Sequence, residues 1–197
     1  MTSDLAGLLA ASRVVPVVRH TDTTAAEREA GRLYEAGFRC LELTTTIAGW
    51  PALVATLTRR WSDATIAVGT VSSPSDVDRA AEAGAGFLVS PYLCPKARER
   101  ATRSGVPLID GGLSVRELAE ASVHGPAKLF PAHVGGPAYL RDVLTVLPGA
   151  QIMPTGGIRP EHVPEWLEAG AIAVGIGAAL GRHPDLDTLA GTLLAHA

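Results

Sequence analysis

The sequence predicts an α/β protein built as a single (β/α)8 TIM barrel with an extra helix at the N-terminus. Three observations favour this fold. Short apolar runs alternate along the chain with amphipathic stretches, which indicates alternating strands and helices. The apolar runs show little apolar/polar alternation, which is typical of parallel strands covered on both faces. The glycine-rich turns follow the last two runs, where such a barrel carries its anion-binding loops.

Eight apolar runs account for the predicted strands. Most of them are rich in valine, isoleucine and leucine, and a turn containing Gly, Pro, Ser or Thr follows each run. The predicted strands are Val14–Val18, Phe38–Leu43, Thr65–Val68, Phe87–Val89, Val106–Ile109, Ala127–Phe130, Ala150–Met153 and Ala171–Val174.

Segments of helical period lie between these runs, each with an apolar stripe opposite charged residues. They are Ala25–Ala36, Ser73–Ala83, Pro95–Arg103, Val115–Ala121, Tyr139–Leu147 and Glu161–Ala169, preceded by the extra helix Leu5–Ala11. Thr24, Ser73 and Ser114 are typical N-cap residues. Three of the helices end in Ala-Gly, at 36–37, 83–84 and 169–170, and glycine there suits a left-handed helix stop.

An open, doubly wound sheet is the alternative fold. That fold carries its glycine-rich phosphate turn after the first strand. Here Arg19-His20-Thr21-Asp22 occupies that position, so the barrel is favoured.

Composition limits the function classes. The chain has 197 residues, 47% apolar residues and a net charge of -3, which suits one domain spanning 1–197 and argues against a nucleic-acid partner. No apolar run is long enough to cross a membrane, and Arg13 interrupts the first apolar stretch, so we expect neither a membrane anchor nor a signal peptide. Two cysteines make no disulfide framework, which favours a cytoplasmic protein.

Lys128 is the most informative residue. It is one of only two lysines, and it lies in Pro126–Ala132, a run with no other charged side chain at neutral pH. Burial disfavours the ammonium form, and a neutral amine is the nucleophile that forms a Schiff base with a ketone. The alternatives are a lysine that extends out of the barrel, or one neutralised by a buried acid. Lys96 stands among charged residues on a predicted helix and is expected at the surface.

Glu42 is the second unusual residue, because leucines flank it within a predicted buried strand. A carboxyl in such a place is suited to proton transfer near neutral pH, and imine chemistry requires several proton transfers. The alternative is that Glu42 is only the counter-ion of Lys128. Such a pair inside a barrel is itself an arrangement found in active sites.

Two glycine turns predict an anion site. Pro154–Ile158 follows the seventh predicted strand, and Gly175–Ala179 follows the eighth and opens a short helix. Backbone N–H groups at such turns bind phosphate or carboxylate. The alternative is that both are tight turns that need glycine for a positive φ.

The other polar residues at predicted strand ends give weaker signals. Thr44, Thr45, Thr46 and Thr70 are able to donate hydrogen bonds to a substrate carboxylate, although threonine is common in strands. Arg19 ends the first strand and suits a bidentate carboxylate contact, or else pairs with Asp22 or Glu42. His133, Glu42 and Asp110 match no metal-ligand spacing, so we expect no metal and no other cofactor.

Taken together, the motifs resemble the 2-keto-3-deoxy-6-phosphogluconate (KDPG) / 4-hydroxy-2-oxoglutarate aldolase family of class I, pyruvate-forming barrels. The resemblance extends from about residue 13 to residue 181. It is carried by Val14–Val18, Leu41–Thr44, Val68–Val71, Ser90-Pro91, Lys128–Pro131, Pro154–Ile158 and Val174–Gly177.

The resemblance implies roles for individual residues. Lys128 becomes the Schiff-base lysine and Glu42 the general acid and base. Thr70 and Pro91 line the pyruvate pocket, Phe130 packs beside the imine, and Gly156, Gly157 and Gly177 receive the substrate phosphate. Thr155 and Ala178 are also expected to lie in the substrate-binding site. Members of the family are commonly homotrimers, so a trimer is expected.

Three departures from the family pattern concern the substrate. The family usually has an arginine where this chain has Thr46, and that arginine binds the pyruvyl carboxylate. A serine that helps to bind phosphate is Ala178 here, and a common acidic residue is His133. These changes bear on the phosphorylated substrate rather than on the lysine chemistry. Without the arginine, either Arg19 on the neighbouring strand binds the carboxylate, or the carboxylate is held differently, or the substrate lacks it.

The sequence therefore predicts a class I aldolase that cleaves or forms the C3–C4 bond of a 4-hydroxy-2-oxo acid, yielding pyruvate and an aldehyde. The substrate is of the KDPG or the 4-hydroxy-2-oxoglutarate type, or an unphosphorylated 2-oxo acid of a specialised pathway. The alternatives are another phosphate-binding barrel enzyme, such as an isomerase or a phosphate-ester synthase, and a barrel that has lost activity and serves as a scaffold.

Overall fold

A computed structural model describes residues 5–195 of the chain. Its strands are β1 Val14–Val18, β2 Cys40–Thr44, β3 Thr65–Gly69, β4 Leu88–Val89, β5 Leu108–Ile109, β6 Gly111–Gly112, β7 Ala127–Leu129, β8 Ile152–Pro154 and β9 Val174–Ile176. Its helices are α1 Leu5–Ser12, α2 Thr23–Glu35, α3 Trp50–Arg60, α4 Pro74–Glu82, α5 Pro95–Ser104, α6 Val115–Ser122, α7 Gly136–Val146, α8 Val163–Glu168, α9 Ala178–Gly181 and α10 Leu186–Leu194. Short 3-10 turns lie at Ala132–Val134 and Pro160–His162. The predicted domain also includes residues 1–4 and 196–197, which lie outside the described residues.

The strands form a curled parallel sheet in two hydrogen-bonded sections. One section has the order β5-β4-β3-β2-β1-β9, and the other has the order β6-β7-β8. Only Asp110 separates β5 from β6, and an isolated parallel bridge joins Thr155, next to β8, to Gly175 of β9. The structure thus confirms an α/β fold with a curled parallel sheet, while the complete eight-stranded barrel remains a prediction.

The structure corrects several predicted elements. The predicted strand Ala171–Val174 lies further along the chain, as β9, and α10 was not predicted. The predicted strand Val106–Ile109 is shorter, as β5, and β6 follows it after an interruption at Asp110. The prediction omitted α3, whose apolar residues are nevertheless buried at helical spacing. Asp22, and not Thr24, caps α2, because the Asp22 side chain accepts a hydrogen bond from the N–H of Ala25.

Each strand presents its side chains alternately to the two faces of the curled sheet. One face packs against the helices and forms the larger core. The other, concave face holds a smaller apolar cluster, which Leu9 of α1 joins; its members on the strands include Val15, Cys40, Ala67 and Met153. This cluster occupies the amino-terminal part of the concave face. The predicted site residues lie beyond it, toward the carboxyl ends of the strands.

Candidate active site

Glu42 and Lys128 face each other on the concave side of the sheet. In β2, Glu42 follows Cys40 at the two-residue spacing that keeps a side chain on the same face. Lys128 occupies the middle of β7, beside Gly111 of β6 and Met153 of β8. The lysine Nζ lies 3.7 Å from Glu42 Oε1, and the two side chains are 5% and 1% exposed. This burial excludes the alternative in which Lys128 extends into solvent.

The carboxyl of Glu42 is free to interact with a substrate. Within residues 5–195, neither of its oxygens has a hydrogen-bond partner, although both are buried. The distance of 3.7 Å to Nζ is that of an ion pair rather than of a direct hydrogen bond. Lys128 Nζ also lies 5.3 Å from the centre of the Phe130 ring. An amine and a carboxyl so placed can exchange protons with a molecule bound between them.

Glycines make room for several predicted site residues. A Cβ atom built on each of four glycines would come closer than 3.0 Å to a site residue. Gly69, Gly156 and Gly175 leave space for the side chains of Glu42, Phe130 and Thr155, whereas Gly111 leaves space for the backbone of Pro91. Gly156 has a φ of 100° and therefore also needs glycine for its backbone.

Arg19 and Thr70 form a polar contact at the carboxyl ends of β1 and β3. Arg19 Nη2 donates a hydrogen bond to Thr70 Oγ1 at 2.9 Å, so its partner is neither Asp22 nor Glu42. Thr70 has a φ of 62°, which is unusual for a β-branched residue and typical of functional sites. The Thr45 hydroxyl donates to the Thr70 carbonyl at 3.0 Å and supports this conformation.

Thr46 is exposed and takes part in local hydrogen bonds. A hydrogen bond of 2.8 Å joins its hydroxyl to that of Thr44, and it also donates to the His20 carbonyl at 3.4 Å. Its short side chain carries no positive charge, so the pyruvyl-binding role of the family arginine has no equivalent at this position.

The turn after β8 combines strained glycines with a free hydroxyl. Gly156 and Gly157 both have positive φ, at 100° and 71°, so a tight-turn requirement alone explains these two glycines. Among residues 5–195 the buried Thr155 Oγ1 has no hydrogen-bond partner. His133 covers the turn, with its backbone N–H donating to the Gly156 carbonyl at 3.1 Å and its Nδ1 3.3 Å from the same oxygen.

The turn after β9 leads directly into α9. Gly177 occupies the N-cap position of this four-residue helix, and Ala178 is its first, exposed residue. Both residues therefore lie at the carboxyl end of β9, as predicted, and the methyl group of Ala178 contributes no hydroxyl donor.

A buried ion pair beside the site escaped the sequence analysis. Asp110 Oδ2 accepts from Arg98 Nε at 2.8 Å and lies 2.7 Å from Arg98 Nη2, with the two side chains 4% and 16% exposed. The Asp110 carbonyl accepts a hydrogen bond from the N–H of Lys128 at 2.9 Å. The sequence signal was an aspartate directly after an apolar run, but its partner lies 12 residues away on α5.

The two cysteines are both free thiols. Cys40 is buried in the cluster below Glu42, and burial raises its pKa to about 12.

None of the helices within residues 5–195 combines the length and apolar character that spanning a membrane requires.

The comparisons with known proteins agree with the motifs. A family model described as KDPG and KHG aldolase matches residues 6–189. The 2-dehydro-3-deoxy-6-phosphogalactonate aldolase of Escherichia coli K12 is 28% identical over 173 residues, covering 86% of this chain and 84% of the relative. The KHG/KDPG aldolase of the same strain is 31% identical over 163 residues, covering 81% of this chain and 76% of the relative.

A solved structure resembles the whole chain. The KDPG aldolase of Legionella pneumophila, with pyruvate captured as a covalent carbinolamine intermediate, superposes with a TM-score of 0.86 at 28% identity. The match covers 99% of this chain and 98% of that structure.

Proposed function

The chain belongs to the KDPG and KHG aldolase family of carbon–carbon lyases, and from this premise we propose that it is a Schiff-base aldolase. The substrate is a 4-hydroxy-2-oxo acid, and the products are pyruvate and an aldehyde. The observation that carries the proposal is the buried pair of Lys128 Nζ and Glu42 Oε1, 3.7 Å apart on the concave face.

Lys128 acts as the nucleophile. After the Lys128 ammonium passes a proton to Glu42, the amine attacks the C2 ketone. Glu42 returns that proton to the carbinolamine hydroxyl, which leaves as water and yields an iminium ion. The iminium accepts the electron pair of the C3–C4 bond as that bond breaks, which leaves an enamine and the aldehyde. Protonation of the enamine and hydrolysis then release pyruvate. The relative from Legionella pneumophila holds pyruvate as a carbinolamine, which is consistent with the attack on the ketone.

Glu42 carries the protons. Directly or through a water molecule, it removes the proton of the 4-hydroxyl during cleavage and returns one to the enamine. The lack of any hydrogen-bond partner for its two oxygens within residues 5–195 supports this role, because no protein group competes with the substrate.

Arg19 and Thr70 bind the carboxylate of the 2-oxo acid. Their 2.9 Å contact places a guanidinium at the carboxyl end of β1, whereas Thr46 carries no charge. Guanidinium groups bind carboxylates bidentately, so Arg19 replaces the arginine that the family has at the Thr46 position. Pro91 and Phe130 form the apolar walls of the pyruvate pocket.

The distal part of the substrate lies toward the turns after β8 and β9. The free Thr155 hydroxyl is available to a substrate hydroxyl. Backbone N–H groups of Gly156, Gly157 and Gly177 bind a terminal phosphate or carboxylate, and Ala178 supplies only its N–H. Because a hydroxyl donor is lost at position 178, we favour a small or unphosphorylated aldehyde end over a sugar phosphate.

Covalent trapping tests the proposal. Incubation with pyruvate and borohydride, followed by peptide mass mapping, is expected to label Lys128 and to leave Lys96 unlabelled. Lys128→Met should abolish labelling, and Lys96→Met, which changes the only other lysine, should not affect it. An unlabelled wild-type protein would favour a phosphate-binding barrel enzyme of another kind. If Lys128→Met performs the biological role of the protein as well as the wild type does, the result would favour a scaffold protein without activity.

A substrate panel identifies the aldehyde. Pyruvate release is measured with KDPG, its C4 epimer and 4-hydroxy-2-oxoglutarate. The unphosphorylated compound is expected to give the highest kcat/KM. A clear preference for either phosphorylated sugar acid would contradict the inference drawn from Ala178.

The assembly and closure of the fold are also proposals. We infer that the two sheet sections form one eight-stranded barrel, in which β5 and β6 are halves of a single strand. The one-residue gap at Asp110 and the bridge between Thr155 and Gly175 support this.

The family resemblance supports a homotrimer, which light scattering on the protein as it elutes from a gel-filtration column tests. The two free thiols and the bacterial relatives support a cytoplasmic location.

A further inference from the structure

We propose that Gly69 is a positioning residue that sets the location of the Glu42 carboxyl. This inference rests on the proposed aldolase function, because it concerns the group assigned there to proton transfer. Gly69 itself contacts no reacting atom in this proposal. Because Gly69 has no side chain, the Glu42 carboxyl can occupy the space that a Cβ atom at position 69 would fill.

The register of the two strands brings these residues together. In the pairing of β2 with β3, Glu42 lies opposite Ala67 and Thr44 lies opposite Gly69. The Glu42 side chain therefore extends along the sheet toward the carboxyl end of β3. A Cβ atom on Gly69 would lie 1.9 Å from Oε1, 2.5 Å from Cδ and 2.7 Å from Cγ of Glu42. All three distances are far below van der Waals contact, so any side chain at position 69 must displace the carboxyl.

Backbone conformation does not explain this glycine. Gly69 ends β3 in regular parallel pairing with Thr44, and its φ is outside the left-handed region. Its carbonyl accepts a hydrogen bond from the N–H of Thr45 at 2.9 Å, which any residue could provide. A glycine within a strand costs stability relative to alanine. Two residues earlier on the same face, position 67 accommodates the methyl group of an alanine, so the strand does not require glycine throughout.

The displaced carboxyl would have no equivalent position beside Lys128. Glu42 is fully buried, and Oε1 is the atom that lies both nearest to Nζ and nearest to the Cβ built on Gly69. A methyl group at position 69 therefore acts on the one oxygen that faces the amine. The expected consequence is loss of proton transfer with the fold retained.

A double-mutant cycle tests this inference. Gly69→Ala is expected to lower the kcat of pyruvate release about a hundredfold, as for other displacements of a catalytic group by about 1 Å. Glu42→Ala removes Cγ, Cδ and Oε1, the three atoms that a Cβ on Gly69 would meet. Adding Gly69→Ala to the Glu42→Ala variant should then lower the residual kcat by no more than about threefold. Equal losses in the two backgrounds would overturn the inference.

Stability provides a second reading of the same cycle. Gly69→Ala should lower the midpoint of urea unfolding when Glu42 is present and leave it unchanged when Glu42→Ala is present. This reading requires no catalytic activity, so it separates the two proposals. Failure of pyruvate trapping by the wild-type protein refutes the aldolase, whereas an unrelieved loss of stability refutes the contact.

Gly86→Ala is the matched control. A Cβ atom there would lie 2.5 Å from Thr65 Cγ2, at the opposite end of β3. This variant strains the same strand without reaching Glu42. It should change the unfolding midpoint while kcat and the borohydride trapping of Lys128 stay at wild-type values. A hundredfold loss of kcat in Gly86→Ala would attribute the effect to general strain and overturn the inference.

Discussion

Removal of the Arg98 guanidinium is expected to cause a large loss of stability. In Arg98→Met, the Asp110 carboxylate keeps its buried position, 4% exposed, and loses both nitrogens that contact Oδ2. The Leu108 carbonyl also loses a donor. Breaking a buried pair on one side costs about 3–5 kcal/mol, because a buried charge is left without compensation. For a chain of this size, such a loss lowers Tm by about 6–20 °C.

Urea unfolding of three variants measures this effect. Arg98→Met should lower the free energy of unfolding by about 3–5 kcal/mol, and adding Asp110→Asn should recover a large part of it. Arg103→Met removes the exposed pair with Glu99, whose side chains are 61% and 68% exposed, and should change stability by less than about 1 kcal/mol. A loss below about 1 kcal/mol in Arg98→Met would refute the reasoning.

Three further predictions concern single residues. Because burial raises the pKa of Cys40 to about 12, a thiol reagent at pH 8 should rapidly modify only Cys94 in the folded protein, and rapid modification of Cys40 would contradict this. The free energy of unfolding should also fall as pH rises from about 9 to about 12, and it should fall less in Cys40→Ala. Hydrogen bonds from Ser114 lower the pKa of Glu117, so the stabilising contribution of this carboxylate is present at neutral pH and lost in acid. The free energy of unfolding should therefore fall less steeply on acidification in Glu117→Gln, and the same pH dependence in both proteins would argue against the contribution. Arg19→Lys should raise the pyruvate concentration needed for half-maximal trapping about tenfold, because an ammonium lacks the bidentate geometry, and an unchanged value would remove Arg19 from the carboxylate site.

Much of the sheet was predictable because its strands are apolar on both faces. For the same reason, a charged residue within an apolar run was conspicuous, and this signal identified both Lys128 and Glu42. The two-residue period of a strand then placed each side chain on a definite face. Their mutual approach still required the curvature of the sheet, since they lie on strands that are distant in the chain.

The missed features depend on contacts between distant parts of the chain. Helix α3 lacks charged residues until Arg59 and Arg60 at its last turn, so no polar face marks its sequence as amphipathic. The interruption between β5 and β6 occurs at Asp110, whose partner Arg98 cannot be identified from spacing. The requirement for glycine at position 69 arises from a side chain on another strand, and only the register shows it.

The Lys128 and Glu42 pair has a consequence for how this protein can evolve. Two ionisable groups are buried where apolar side chains would give a more stable fold. Among residues 5–195 the acidic one has an ion-pair partner in Lys128 but no hydrogen-bond partner. On the proposed function, selection for heat resistance alone would favour hydrocarbon side chains at both positions and would yield a more stable descendant without activity. The proposal therefore implies that a lineage that retains the pair is under continued selection for the reaction.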